Sequence, residues 1–122
     1  MSPRSRRWAL VPALVAVVVQ LVVLYAPSGV GSPPFAYFDK LVHAAVFALP
    51  VFFALLARLP RGAVVTVAAL HAPVSEVVQA RLLAERAGDP WDAVADLVGV
   101  GLGVLAALVV GRRDAGPDRD RW

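Results

Sequence analysis

The chain has 122 residues, of which 59% are hydrophobic and 17% charged, and it carries a formal net charge of +3 and no cysteine. Soluble domains have a lower apolar fraction and about a quarter of their residues charged, so this composition excludes an ordinary soluble domain and indicates a membrane protein. The lack of cysteine excludes disulfides, thiolate metal sites and a cysteine nucleophile.

Four apolar runs divide the chain, each near the roughly 20 residues that a helix needs to cross a bilayer. They predict an all-α membrane protein, a four-transmembrane-helix bundle with short loops, in which the whole chain is one membrane domain. We place the helices at about 8–26, 39–57, 62–80 and 92–111, with a disordered tail over 113–122.

The first predicted helix runs from Trp8 to Tyr25, aromatic residues suited to the two membrane interfaces. Its basic start resembles a secretory signal, but the apolar stretch is longer than the usual 7–15 residues. We therefore expect a retained span, while the small residues at 28–31 leave cleavage open. The polar Gln20 inside this span is expected to bond to a neighbouring helix or simply to lie toward the outer half, rather than to act in catalysis.

The second predicted helix begins at Asp39, a residue type that favours the N-cap. The short turn from Arg58 to Gly62 predicts an antiparallel hairpin with the third helix. His71, deep in the third helix, is expected to be a packing residue rather than a proton relay.

Basic residues gather at alternate ends of the predicted helices. Nine of the twelve flank the N-terminus, the second connection and the C-terminus, namely Arg4, Arg6, Arg7, Arg58, Arg61, Arg112, Arg113, Arg119 and Arg121. The positive-inside rule then predicts a multi-pass protein of the bacterial cytoplasmic membrane with both termini in the cytoplasm. A nucleic-acid site would instead need basic residues on one folded face, so no nucleic-acid partner is expected.

Polar residues collect at the opposite end of the last three predicted helices. Helical spacing puts each set on one face: Asp39, His43 and Phe47 on the second helix, Glu76 and Gln79 on the third, and Asp92, Asp96, Gly99 and Gly103 on the fourth. Ionisable groups on membrane helices avoid lipid and face the bundle or water, so the three faces should converge on one outward-facing cleft. Two glycines four residues apart also predict close helix packing.

The order and spacing of these polar residues resemble those of a known family. The matching positions are Asp39-Lys40-x-x-His43-x-x-x-Phe47, then Ser75-Glu76-x-x-Gln79, then Arg86-x-Gly88-Asp89-x-x-Asp92-x-x-x-Asp96-x-x-Gly99-x-x-x-Gly103. The pattern is similar to that of the VanZ-like family of small bacterial integral membrane proteins, although many members have asparagine where this chain has Asp96. The resemblance implies an envelope protein; the best-known member is associated with teicoplanin resistance, and no settled reaction comes with the family.

The candidate ligand-binding residues are taken from the polar faces and from the matching motif: Asp39, Lys40, His43, Glu76, Gln79, Arg86, Asp92 and Asp96. Three of them, His43, Glu76 and Asp96, lie a turn or more inside their apolar stretches and are the candidates for acid–base catalysis. Acids outnumber bases, which fits either ion pairs or an oxygen-rich cluster that holds a divalent cation with His43 as a nitrogen ligand. Whether a metal is needed stays open.

The expected function is to bind or modify an envelope lipid-linked or glycopeptide-related ligand in this cleft. The alternative is a membrane scaffold or a small proton-coupled transporter whose buried charges only hold helices together. Expected partners are membrane lipids and the envelope ligand, with a homo-oligomer left open.

Overall fold

The computed structural model describes residues 7–26, 34–83 and 89–115. A 3-10 turn at Arg7–Ala9 leads into four helices: α1 (Leu10–Tyr25), α2 (Phe38–Leu56), α3 (Arg61–Leu82) and α4 (Pro90–Ala115). Within those ranges there is no strand. With the 3-10 turn extending the first, all four helices are long and apolar enough to cross a membrane, which confirms the predicted all-helical architecture.

Contacts between helix ends show that the helices alternate in direction. Lys40, at the start of α2, contacts Asp92 at the start of α4. Gln79, near the end of α3, hydrogen-bonds to Leu24 near the end of α1. We call this the polar end of the bundle. The opposite, basic end carries Arg58, Arg61, Arg112 and Arg113.

The principal helix contact is that of α2 with α4. A Cβ atom added to Gly99 would overlap the backbone carbonyl of Ala44, and one added to Gly103 would lie 2.6 Å from the carbonyl oxygen of Ala48. The two backbones can approach this closely only because both positions lack a side chain. The predicted packing through these glycines is therefore confirmed.

The buried apolar core is small. It consists of Leu24, Val46, Phe47, Val51, Ala72 and Val100. Elsewhere each helix turns large apolar side chains outward, such as Val11 (69% exposed) on α1 and Val67 (69%) on α3. Apolar residues on the outside of every helix are unusual for a soluble protein and suit a lipid environment.

Several predicted helix ends differ from the observed ones. Asp39 is not the N-cap of α2, because the helix already starts at Phe38 after Tyr37, which has a left-handed backbone (φ 66°). Asp39 instead occupies the first turn, where a negative charge still favours the helix dipole. Helix α4 begins with Pro90, which is well suited to the first helical position.

The predicted tail also begins too early, because α4 continues to Ala115 and residues 113–115 are helical. The rest of that tail, 116–122, lies outside the described residues. So do the small residues at 28–31, on which the cleavage alternative depends, and the candidate ligand residue Arg86.

Candidate functional site

Four ionisable side chains from three helices meet at the polar end, and we call them the buried cluster. They are His43 on α2 (5% exposed), Glu76 on α3 (8%), and Asp92 (8%) and Asp96 (0%) on α4. The expected convergence of the polar faces into the bundle is confirmed for these residues. Since isolated charges are costly to bury, the contacts among the four side chains determine what the cluster can do.

His43 is held between the two aspartates of α4. Its Nδ1 atom lies 2.7 Å from Asp96 Oδ1, and its Nε2 atom lies 3.4 Å from Asp92 Oδ2. An ionised carboxylate can only accept hydrogen bonds, so Nδ1–H donates to Asp96 and fixes the orientation of the ring. In the neutral imidazole, Nε2 then has a free lone pair on the side of Asp92.

Glu76 is only partly satisfied. Its Oε2 atom accepts a hydrogen bond from the backbone N–H of Asp89 at 3.0 Å, which ties the end of α3 to the start of α4. Two buried carboxylate oxygens of the cluster, Glu76 Oε1 and Asp96 Oδ2, have no hydrogen-bond partner. Leaving such a group unpaired costs about 1–3 kcal/mol, so the cluster retains unused capacity to accept a proton donor or a cation.

Lys40 forms the centre of a second group, the outer cluster, with Asp39 and Asp89. Its Nζ atom lies 2.8 Å from Asp39, 2.7 Å from Asp89 and 2.5 Å from Asp92. The three donors of the ammonium group thus meet three carboxylates. The hydrogen bond from Lys40 lowers the pKa of Asp89, which keeps that carboxylate ionised.

Asp89 was not among the predicted ligand residues, although it belongs to the motif that carries the family resemblance. The available signal was its position in the Asp89-x-x-Asp92 pattern, one helical turn before a candidate residue. The structure shows that both aspartates meet the same lysine.

Three other polar side chains of α3 form hydrogen bonds within the bundle. Gln79, a candidate ligand residue, is 2% exposed and donates to the Leu24 carbonyl at 2.7 Å. The Ser75 hydroxyl donates to the Ala72 carbonyl of its own helix at 2.8 Å. His71 Nε2 lies 2.7 Å from the Tyr25 hydroxyl, and its ring also packs on Phe47. His71 is therefore a packed, hydrogen-bonded residue, as expected.

Two cavities lie along α2. The mouth cavity, of about 540 Å³, is at the polar end and includes Tyr37, Asp39, Lys40, Asp89 and Trp91 in its wall. The apolar cavity, of about 430 Å³, extends from the middle of the bundle to Leu59 and Pro60 at the basic end. Both volumes lie within the usual range for ligand pockets, about 300–1,000 Å³.

The apolar cavity is formed by α1, α2 and α3. Its wall includes Gln20, Phe47, Val51, Val64 and His71. Phe47 follows His43 by one helical turn, so the apolar cavity begins about one turn of α2 away from the buried cluster. A polar site and an apolar site therefore lie in succession along one helix.

No protein-family model, no curated protein and no solved structure matches this chain.

Proposed function

We propose that this chain is a VanZ-like protein that spans the bacterial cytoplasmic membrane four times and binds or modifies an envelope lipid-linked or glycopeptide-related ligand at its polar end. Support for the membrane location comes from four helices of sufficient length and hydropathy. Further support comes from the large apolar side chains that every helix turns outward.

The observation that carries the proposed ligand class is the succession of polar and apolar sites along α2. The mouth cavity and the buried cluster offer charged groups at the polar end, while the apolar cavity offers a hydrocarbon-like surface deeper in the bundle. An amphiphilic molecule matches both, with its headgroup at the polar end and part of its apolar chain in the apolar cavity.

The charge balance specifies the headgroup further. Around the polar end, the five carboxylates of Asp39, Glu76, Asp89, Asp92 and Asp96 outnumber the basic groups of the described residues there, which are Lys40, Arg81 and His43. Ionised carboxylates only accept hydrogen bonds, so the site favours a headgroup rich in N–H and O–H donors, such as sugar hydroxyls or peptide amides. A bare phosphate would be repelled unless a cation accompanied it.

A transporter is less well supported by the packing. Among the described residues, the interior next to the buried cluster is the apolar core of Phe47, Val51, Ala72 and Val100. Ions and protons need polar groups or water along their path. Gln20 and His71 are the polar side chains in the wall of the apolar cavity, and towards the basic end that wall consists of apolar residues such as Ala54, Ala63 and Val64.

Glu76→Gln should abolish the effect of this protein on envelope lipids while its abundance in the membrane stays unchanged. The substitution keeps the side-chain shape and can retain the bond from Asp89, but it removes the negative charge from the buried cluster. The measurement compares lipids and cell-wall precursors in cells that lack the protein, contain it, or contain the variant. Arg81→Gln is the matched control, because it removes an exposed charge from the same helix.

The same comparison separates the proposal from the scaffold alternative. If the buried charges only hold helices together, abundance should fall together with the lipid change. Identical lipids and precursors in cells with and without the protein would contradict an envelope ligand altogether.

The polar end is expected to face the outside of the cell, because arginines gather at the other end. The chain has no cysteine, so a single cysteine in place of Phe35 or Arg61 can report the orientation. Both positions are exposed and lie at opposite ends of the bundle. An impermeant thiol reagent should label Phe35→Cys on intact cells and label Arg61→Cys only after lysis; the reverse pattern would overturn this orientation.

A further inference from the structure

We infer that His43, Glu76 and Asp92 form a binding site for one divalent transition-metal cation of the zinc class, with Asp96 as the residue that positions His43. The inference goes beyond the proposed function, because binding of the ion does not depend on the identity of the envelope ligand.

The spacing of the potential ligand atoms suits a single ion. One nitrogen or oxygen atom from each of His43, Glu76 and Asp92 lies within 4.8 Å of the others. The closest measured pair, His43 Nε2 and Asp92 Oδ2, is 3.4 Å apart. Nitrogen and oxygen ligands at 2.0–2.2 Å from a tetrahedral zinc ion lie about 3.4 Å from one another. This pair is therefore already at the separation that a shared ion requires.

Asp96 gives His43 the orientation that a metal ligand needs. Metal-binding histidines usually donate their second ring N–H to a carboxylate or carbonyl, which fixes the tautomer and increases the basicity of the metal-binding nitrogen. The 2.7 Å contact between Nδ1 and Asp96 Oδ1 has this form. It leaves Nε2 as the free nitrogen, and Nε2 is the atom that faces Asp92.

The unpartnered oxygen of Glu76 is an independent indication of a ligand. Glu76 is 8% exposed, and its Oε1 atom is buried with no hydrogen-bond partner. One carboxylate oxygen of Glu76 and one of Asp92 lie within 4.8 Å of each other and of a ring nitrogen of His43. A cation there would satisfy the free oxygen and reduce the repulsion between the carboxylates.

The acids of the outer cluster have a similar spacing but already bind a cation of the protein itself. Asp39, Asp89 and Asp92 also have ligand atoms within 4.8 Å of one another, but the ammonium of Lys40 bonds to all three. That group therefore has its own cation. Asp92 uses Oδ1 for Lys40 and directs Oδ2 to His43, so it can serve both groups at once.

The donor set selects the class of metal. Magnesium and calcium favour sites made of oxygen ligands, whereas imidazole suits zinc and its transition-metal neighbours. Catalytic zinc sites have three protein ligands and leave one coordination position open. A headgroup oxygen could bind at that position, which would join the ion to the proposed ligand.

The test measures metal binding by the purified full-length chain in detergent, stripped of metal with a chelator and dialysed against free Zn²⁺ without added lipid. We expect one bound zinc per chain and at least about tenfold weaker binding of Mg²⁺. His43→Ala and Glu76→Gln should each lower zinc affinity by more than tenfold. Asp96→Asn should lower it by about 10–100-fold, the usual effect of losing the partner of a metal-binding histidine.

Arg81→Gln is the matched control, because it removes an exposed charge from the helix that carries Glu76 and should leave zinc affinity unchanged. Helix content by circular dichroism shows whether each variant is folded. If His43→Ala does not fold, thermal unfolding of the unaltered chain with and without zinc tests for binding instead. Zinc that binds the folded state must raise the unfolding midpoint.

Absence of zinc binding to the unaltered chain would overturn the site, as would wild-type affinity in both His43→Ala and Glu76→Gln. Either result would leave the lipid comparison unaffected, because that experiment does not measure metal. Conversely, a zinc site with no change in cellular lipids would contradict the envelope ligand and not the metal.

Discussion

Gly99→Leu is expected to abolish folding of the protein in detergent by separating α4 from α2. At this position even a Cβ atom would overlap the backbone carbonyl of Ala44, and a backbone cannot move aside as a flexible side chain can. Overpacking against side chains costs about 1–3 kcal/mol, and displacing a whole helix from the principal contact of the bundle should cost more. The smaller change Gly99→Ala should already lower the midpoint of thermal unfolding.

Gly101→Leu provides the control for this prediction. Gly101 lies on the same helix two residues away, is exposed, and has nothing within 4 Å of an added Cβ. Its replacement makes the same chemical change and should leave folded yield and unfolding midpoint near those of the unaltered protein. Equal stability of the Gly99 and Gly101 variants would show that α2 and α4 do not pack as described.

Lys40→Met is also expected to lower the stability of the folded protein. Methionine keeps much of the length and apolar surface of lysine but removes the cation that contacts Asp39, Asp89 and Asp92. Loss of one partner from a fully buried ion pair costs about 3–5 kcal/mol. Because the lysine side chain is 23% exposed, we expect a smaller decrease of about 1–3 kcal/mol, measured by unfolding in mixed micelles.

A second substitution tests the cause of that loss. Asp92 is the most buried of the three aspartates that contact Lys40, with 11% of its side chain exposed. Adding Asp92→Asn to Lys40→Met should therefore restore part of the stability, since the uncompensated charge is removed. Arg81→Met, which removes an exposed cation from α3, should have little effect. If Lys40→Met unfolds like the unaltered protein, the outer cluster does not stabilise the fold.

The sequence by itself determined the helical architecture and the faces on which polar residues lie. Hydrophobic run length and helical spacing are local properties, so four helices and the shared face of Asp92, Asp96, Gly99 and Gly103 could be predicted without knowing how the helices pack. Exact helix ends could not be predicted as well: the sequence placed two helix starts at Asp39 and Asp92, whereas α2 starts at Phe38 and α4 at Pro90.

Only the tertiary structure decided which polar groups meet. The sequence predicted one cleft, whereas the structure separates a buried cluster around His43 from an outer cluster around Lys40, and it uses Gln79 to join α3 to α1. His43 and Asp96 are 53 positions apart, and their pairing depends on the rotation and axial offset of α2 against α4. Those two quantities are set where Gly99 admits the backbone of Ala44, a contact between distant segments that helical spacing cannot specify.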